Sequence, residues 1–426
     1  MPNRYTIALI VIIALAVFFR FWQFSSIPPG LYQDEAMNGA DALTSLKTGD
    51  YKVFYTNNNG REGMIVWLDA LAIKLFGLSA QAGTEPWVLR LFPAIAGVLA
   101  VLGLYFLTKE LFSIEIALAS SFFMATGFWA VNFSRMGFRA GLMPMFLIWS
   151  FYFLLTGFRS GSMRILTDQN GNYPRISANN LRKSASIFII AGILFGLGFY
   201  TYISYRFTPI LIAAFFVPYL IKYGNKKLWA GVLLFAAVTF IVALPMGLYF
   251  LNNPQDFFGR SEQVSIFSAD NPLRAAALSI ASTLGMFNIV GDFNWRHNYA
   301  GAPELFLPVG LLFLLGIWLS IKRFAFEDKF LFSWLVIFLL PNILSVEGNP
   351  HALRALGAMP AAMIFSGIGL VWFYKKIQKY KEIFWLLAIF LIFVGGYEFN
   401  KYFNLWASSP FTMDAFSQGQ VKIANY

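Results

Sequence analysis

The sequence predicts an all-α integral membrane protein of about eleven transmembrane helices, with amphipathic interfacial helices in its first outer loop. Three observations predict it. Of the 426 residues, 58% are hydrophobic and only 12% charged, about half the charge of an ordinary soluble domain. Eleven apolar runs approach or reach the roughly 17–25 residues that a helix needs to cross a bilayer. The formal charge of +11 is confined to alternate loops. This composition excludes both an ordinary soluble enzyme and a disordered chain. The absence of cysteine excludes a disulfide framework, a thiolate zinc site and a cysteine nucleophile. His297 and His351 are the only histidines, so a multi-histidine metal site is not expected and no metal ligands are assigned.

The runs lie at 6–24, 88–108, 114–131, 141–158, 186–204, 207–221, 228–250, 305–321, 330–344, 355–374 and 383–400. The first lacks a small-x-small cleavage site, and Phe18, Phe19, Phe21 and Trp22 crowd its end, so it reads as a retained span. Residues 1–404 form one polytopic domain with two large outer loops, 25–87 and 251–304, and 405–426 form a short outer tail. Arg61–Gly77 is short and carries Asp69 and Lys74, with Ile65, Leu68, Leu71, Ala72 and Leu75 at helical spacing. It reads as an amphipathic helix lying on the outer interface. Counting it as a span would invert every later loop. With the N-terminus inside, the cytoplasmic segments hold 17 basic and 6 acidic residues, and the remainder holds 15 of each. Excess Lys and Arg mark cytoplasmic loops, so the distribution supports the orientation. Topology and anionic lipid headgroups account for the basic charge without a nucleic-acid partner.

With that topology the chemically useful side chains share the outer face. Asp34 and Glu35 stand just beyond the first span, followed by Asn57, Asn58, Asn59, Arg61 and Glu62 in NNNGREG. Arg90 opens the second span, and Arg135 and Arg139 lie in NFSRMGFRAG between the third and fourth. Arg206 sits at a short outer turn, and the 251–304 loop adds Arg260, Glu262, Asp292, Arg296 and His297. Glu347, His351 and Arg354 precede the tenth span. Ionisable groups at a membrane boundary are costly unless paired, so their clustering favours a site. Each also has a structural reading. Asp34 and Glu35 suit the first turn of a helix, Arg90 suits a snorkelling position, and Arg135 and Arg139, four apart, would share one helix face and could hold lipid phosphate. His351 reads as a hydrogen-bonding partner, since nothing beside it in sequence marks an activated base.

The order of these features resembles the GT-C superfamily of polytopic glycosyltransferases, nearest the protein O-mannosyltransferase and aminoarabinose transferase branch, family 39-like. The resemblance rests on Asp34-Glu35 after the first span, Arg90 at the second, Ser134-Arg135 with Arg139 outside, and His351, Arg354, Gly357 and Pro360 opening a late span. It implies that Asp34 is the catalytic base with Glu35 beside it. It implies that Arg90, Arg135, Arg139 and Arg354 contact the donor phosphate; Arg61, Glu62 and His351 are expected to bind substrate. The chain departs from many relatives in having Gly60-Arg61-Glu62-Gly63 in place of His-Pro-Pro, and Arg139 near the position of an acid.

The chemistry follows from these residue types. Arginine forks match phosphate oxygens and stabilise a departing polyprenyl phosphate. The phosphate needs little protonation to leave, whereas an acceptor hydroxyl needs a base, which a carboxylate supplies. A single displacement inverts the sugar configuration, unlike the paired carboxylates of hydrolases. No Asp-x-Asp occurs, so no cofactor is expected beyond a divalent cation held loosely by Asp34-Glu35. The expected partners are a polyprenyl-phosphate sugar, a glycan, lipid or protein acceptor, and membrane lipids. The competing readings are a lipid-linked-sugar flippase, which would place charges at the bilayer midplane, and an oligosaccharide polymerase or ligase.

Overall fold

The computed structural model describes residues 3–76, 85–161, 178–378 and 383–424. Gly77 lies outside the described residues, as do the side chains of Arg260 and Glu262. Among the described residues the architecture is all-helical apart from one small hairpin and an isolated bridge between Ser265 and Ser345. In order, α1 is Arg4–Phe21, α2 Gln33–Thr48, β1 Phe54–Tyr55, β2 Arg61–Glu62 and α3 Met64–Phe76. There follow α4 Pro86–Leu111, α5 Ile114–Thr126, α6 Phe128–Arg135, α7 Met143–Gly161 and α8 Ala178–Gly198. Next come α9 Thr208–Leu211, α10 Val217–Tyr223, α11 Lys226–Asn252, α12 Pro254–Gln263 and α13 Pro272–Gly285. The last long helices are α14 Leu307–Arg323, α15 Phe326–Ile343, α16 Met359–Ile377 and α17 Ile383–Phe399.

Each of the eleven apolar runs is mostly helical, the run at 114–131 being divided between two helices. Among the described residues, seven helices are long and apolar enough to cross a membrane, and a bent pair makes eight. The count of eleven rests additionally on α8, α14 and α15. The apolar part of α8 is Ala185–Gly198, α14 has 17 residues, and α15 opens with Glu327, Asp328 and Lys329.

The run at 114–131, expected as one span, is the bent pair α5 and α6, with 55° between them at Gly127. Breaking a helix in lipid exposes backbone groups that must find partners. Here Arg20 of α1 donates to the carbonyls of Met124 and Ala125 at 3.0 and 2.8 Å. The Glu398 carboxylate of α17 accepts the Phe128 N–H at 3.1 Å. Each broken end therefore meets a charge of the sign that suits its dipole.

The interior is centred on α16, whose residues from Met359 to Val371 are all buried. It packs on α5 and α14, where glycines allow close approach. A Cβ on Gly316 would overlap the carbonyl of Phe365. The segment expected to lie on the interface is α3, thirteen residues long and so too short to span. It buries Ile65, Val66, Ala70 and Ile73 and exposes Leu71, Leu75 and Phe76.

Hydrogen bonds and ion pairs tie neighbouring helix ends together. At one end the Tyr5 hydroxyl donates to Glu115 at 3.2 Å, Arg159 pairs with Glu110, and Arg323 grips Asp328 with two bonds of 2.7 and 2.6 Å. The other end gathers α2, the hairpin, α3 and the residues predicted to form a site.

Candidate active site

The hairpin positions the first part of the site. β1 and β2 pair antiparallel, Phe54 with Glu62 and Tyr55 with Arg61. Their loop needs three left-handed residues, Asn58, Asn59 and Gly60 at φ 55°, 63° and 82°. Asparagine tolerates this region and glycine occupies it freely. A side chain on Gly60 would strike the Phe54 ring at 2.5 Å. The turn brings the Asn58 amide to Asp34, donating to Oδ1 at 2.6 Å. Arg61 is turned inward to donate to Asn38 Oδ1 at 2.5 Å and to pair with Asp41.

Asp34 and Glu35, adjacent in α2, go to different places. Successive residues on a helix point about 100° apart, so only one can face the site. Glu35 is fully buried. Its carboxylate receives the Arg90 Nε and Nη2 at 2.8 Å each, the Gly137 N–H at 2.7 Å and the Tyr32 N–H at 2.9 Å. Arg90 also donates to the carbonyls of Pro28 and Gly30 at 2.8 Å each. This pair fastens the first loop to α4. Asp34 is half-buried and faces a cavity.

Arg135 and Arg139, expected to share a helix face, do not. α6 ends at Arg135 and Met136 is extended, so the two residues diverge. Arg135 is buried and caps α1, donating to the carbonyls of Phe19, Trp22 and Ile27 at 3.0, 2.8 and 2.7 Å. Arg139 begins a separate turn and reaches the cavity, 3.2 Å from Glu62 and donating to the Gly60 carbonyl at 2.7 Å. Glu62 is buried between Arg139 and Arg206, the latter at 3.4 Å. It braces Arg139 from behind the cavity wall.

The cavity has a volume of about 490 Å³. It collects Asp34, Arg61, Arg139, His351 and Arg354 of the expected residues, together with Tyr32, Asn58, Arg296 and His297. Phe207, Phe267, Pro341 and Leu344 form an apolar flank. Glu35, Glu62, Arg90 and Arg135 do not line it. Among the described residues Asp34 is the one carboxylate in the wall. Arg354 pairs with Glu347 at 3.3 Å. The Arg296 guanidinium lies over the Tyr32 ring, 4.2 Å from its centroid, with Nε 3.1 Å from Asn294 Oδ1. It makes no ion pair among the described residues.

The model of the family described as dolichyl-phosphate-mannose-protein mannosyltransferase matches residues 63–167, roughly a quarter of the chain. No curated protein matches the chain in sequence. Solved structures match far more of it. The oligosaccharyltransferase of Archaeoglobus fulgidus in the apo form is 17% identical, with TM-score 0.59 over 97% of this chain and 56% of that one. The chain has the GT-C fold. ArnT from Cupriavidus metallidurans bound to undecaprenyl phosphate is 16% identical, with TM-score 0.54 over 85% of this chain and 60% of that one. The archaeal oligosaccharyltransferase AglB, in complex with an inhibitory peptide and a dolichol-phosphate, gives 17% and 0.57 over 97% of this chain and 55% of that one. The chain thus spans little more than half the length of these GT-C proteins.

In the sequence Arg296 and His297 stand among the expected outer charges with no role of their own. An Arg-His pair in an aromatic loop, with one of only two histidines, was the available signal. Two histidines in the whole sequence are too few to mark a metal site from sequence alone. The structure instead brings both rings to 4.7 Å, centroid to centroid, across 54 positions of sequence.

Asp69 of α3 is fully buried, and neither carboxylate oxygen has a hydrogen-bond partner. Burial, with a smaller push from the charge of Glu35, raises its carboxyl well above the usual range, against a pull from Arg61. The folded state therefore favours the protonated acid. That contribution is fully present below the unfolded value near 3.8 and is lost as pH rises toward the folded one. Melting of the detergent-solubilised protein is expected at falling temperature as pH rises from about 4, and Asp69→Asn should flatten that slope. An unchanged slope in Asp69→Asn would assign the pH dependence elsewhere.

Proposed function

We propose that the chain is an inverting glycosyltransferase that moves a sugar from a polyprenyl-phosphate donor to an acceptor hydroxyl. One observation carries this reading: among the described residues a single carboxylate, Asp34, faces a cavity walled by Arg61, Arg139, Arg296 and Arg354, with an apolar flank beside them. The arginines suit a phosphate, and the flank suits the first isoprene units. Asp34 accepts the proton of the acceptor hydroxyl as its oxygen attacks the anomeric carbon. The bond to the phosphate oxygen breaks, and the guanidinium forks stabilise the departing charge. The match to a mannosyltransferase family and the fold shared with proteins that bind lipid phosphates support this assignment.

We place the N-terminus in the cytoplasm and the cavity on the opposite face, on the strength of the basic loops. Asp50 is exposed beyond α2, and Lys226 opens α11 at the basic end. In this cysteine-free chain, Asp50→Cys should react with an impermeant maleimide in intact cells and Lys226→Cys only after lysis. The reverse pattern overturns the orientation.

The functional test uses protein in liposomes with labelled polyprenyl-phosphate sugar and mixed acceptors. Labelled acceptor is expected from the lipid donor and none from nucleotide sugars. Movement of intact lipid without transfer would favour a flippase. Among the described residues that line the cavity, Arg296 is the arginine without an ion pair. Arg296→Ala should lower donor use ten- to hundred-fold, since a hydrogen bond to a charged group contributes about 1.5–3 kcal/mol. Arg296→Lys should restore part, because it keeps the charge without the fork. Parent-like turnover in both variants would remove Arg296 from phosphate recognition.

A further inference from the structure

The described residues contain one group of histidine and carboxylate side chains spaced as a shared ligand set: Asp292, His297 and His351, with ligand atoms within 4.8 Å of one another. His297 Nδ1 is 2.9 Å and His351 Nδ1 3.8 Å from the same oxygen, Asp292 Oδ2. Ligands bound at about 2.0–2.1 Å in a tetrahedral site stand roughly 3.4 Å apart. The two separations straddle that value, so small ring rotations would let all three groups share one ion.

The surroundings fix the arrangement. Asp292 Oδ1 accepts the Asn294 N–H at 2.8 Å, and Oδ2 accepts the Ala352 N–H at 2.9 Å. The second bond ties the loop before α14 to the segment before α16, and so sets His297 beside His351. His297 packs on the Phe133 ring at 5.6 Å. Such outer contacts orient metal ligands. His297 and Asp292 are buried, whereas His351 is partly exposed. Both histidines line the cavity, so a fourth coordination position would open into it.

We propose that Asp292, His297 and His351 bind one divalent transition-metal ion, with an open position toward the cavity. Two imidazoles and one carboxylate suit zinc or cobalt. Magnesium and calcium prefer oxygen ligands. The three ligands share no residue with the Asp34-Glu35 pair, and the Glu35 carboxylate is already taken by four hydrogen bonds.

The test uses full-length protein in detergent, stripped with a chelator and titrated with Co(II), then Zn(II). Stoichiometry is read by elemental analysis after gel filtration, and ligation by the visible absorption of bound Co(II). One Co(II) per chain is expected, displaced by Zn(II) and not by excess Mg(II). His351→Ala, at the partly exposed ligand, should retain the metal-free melting temperature and lose at least ten-fold in Co(II) affinity. Asp292→Asn should do the same through loss of the carboxylate, and Asp34→Asn should bind like the parent. Absence of stoichiometric Co(II) in the parent would leave only a hydrogen-bonded histidine–aspartate group and overturn the proposal. Parent-like affinity in His351→Ala, or loss in Asp34→Asn instead, would overturn it equally.

Discussion

Asp34→Asn should lower sugar transfer by about 10²–10⁴-fold, the scale of a positioned general base, while donor binding persists. The substitution keeps the shape of the side chain and removes its capacity to take a proton. Asp34 sits in the first turn of α2, but Tyr32 occupies the cap position and Glu35 closes the capping box. Asparagine therefore costs the helix little. The Asn58 amide, 2.6 Å from Asp34 Oδ1, can still bond to the asparagine oxygen. Transfer at saturating donor and acceptor, alongside lipid binding on the same preparation, separates chemistry from folding. Parent-like transfer would remove Asp34 from the mechanism.

Arg90→Leu should cost about 3–5 kcal/mol of stability, the usual cost of stranding one member of a buried ion pair. Arg90 and Glu35 have fully buried side chains 2.8 Å apart. Without the guanidinium, a buried carboxylate keeps two backbone donors and loses its counter-charge. Four bonds from Arg90 also hold the first loop, so release of Asp34 should accompany the loss. The double variant Glu35→Leu with Arg90→Leu should recover part of the stability, because no unpaired charge remains. Thermal melting in detergent reads both effects. A normal melting temperature with impaired donor binding would return Arg90 to the phosphate site that the sequence suggested.

The helices were legible because lipid leaves few options. A backbone in hydrocarbon must bond to itself, so each long apolar run had to be helical. That charged side chains gather in one region was legible because charge near a membrane is rarely idle. The division of labour within it was not. Adjacent Asp34 and Glu35 look alike in sequence, and only helix phase sends one to the cavity and the other to Arg90. Arg135 and Arg139 look paired at a spacing of four until α6 ends between them. The break at Gly127 depends on Arg20 and Glu398, which lie more than a hundred positions away on either side. Such partners follow from tertiary packing and leave no local trace.

In the proposed reaction the Asp34 cavity receives the phosphate of the lipid donor. A structure of the protein with bound polyprenyl phosphate tests it most directly. The expected result places the phosphate within hydrogen-bond distance of Arg296 and at least one of Arg139 and Arg354, with the lipid leaving past Phe207 and Phe267, while Arg90 and Arg135 keep their present partners. A phosphate held by Arg90 or Arg135, with Glu35 released and the cavity empty, would contradict it.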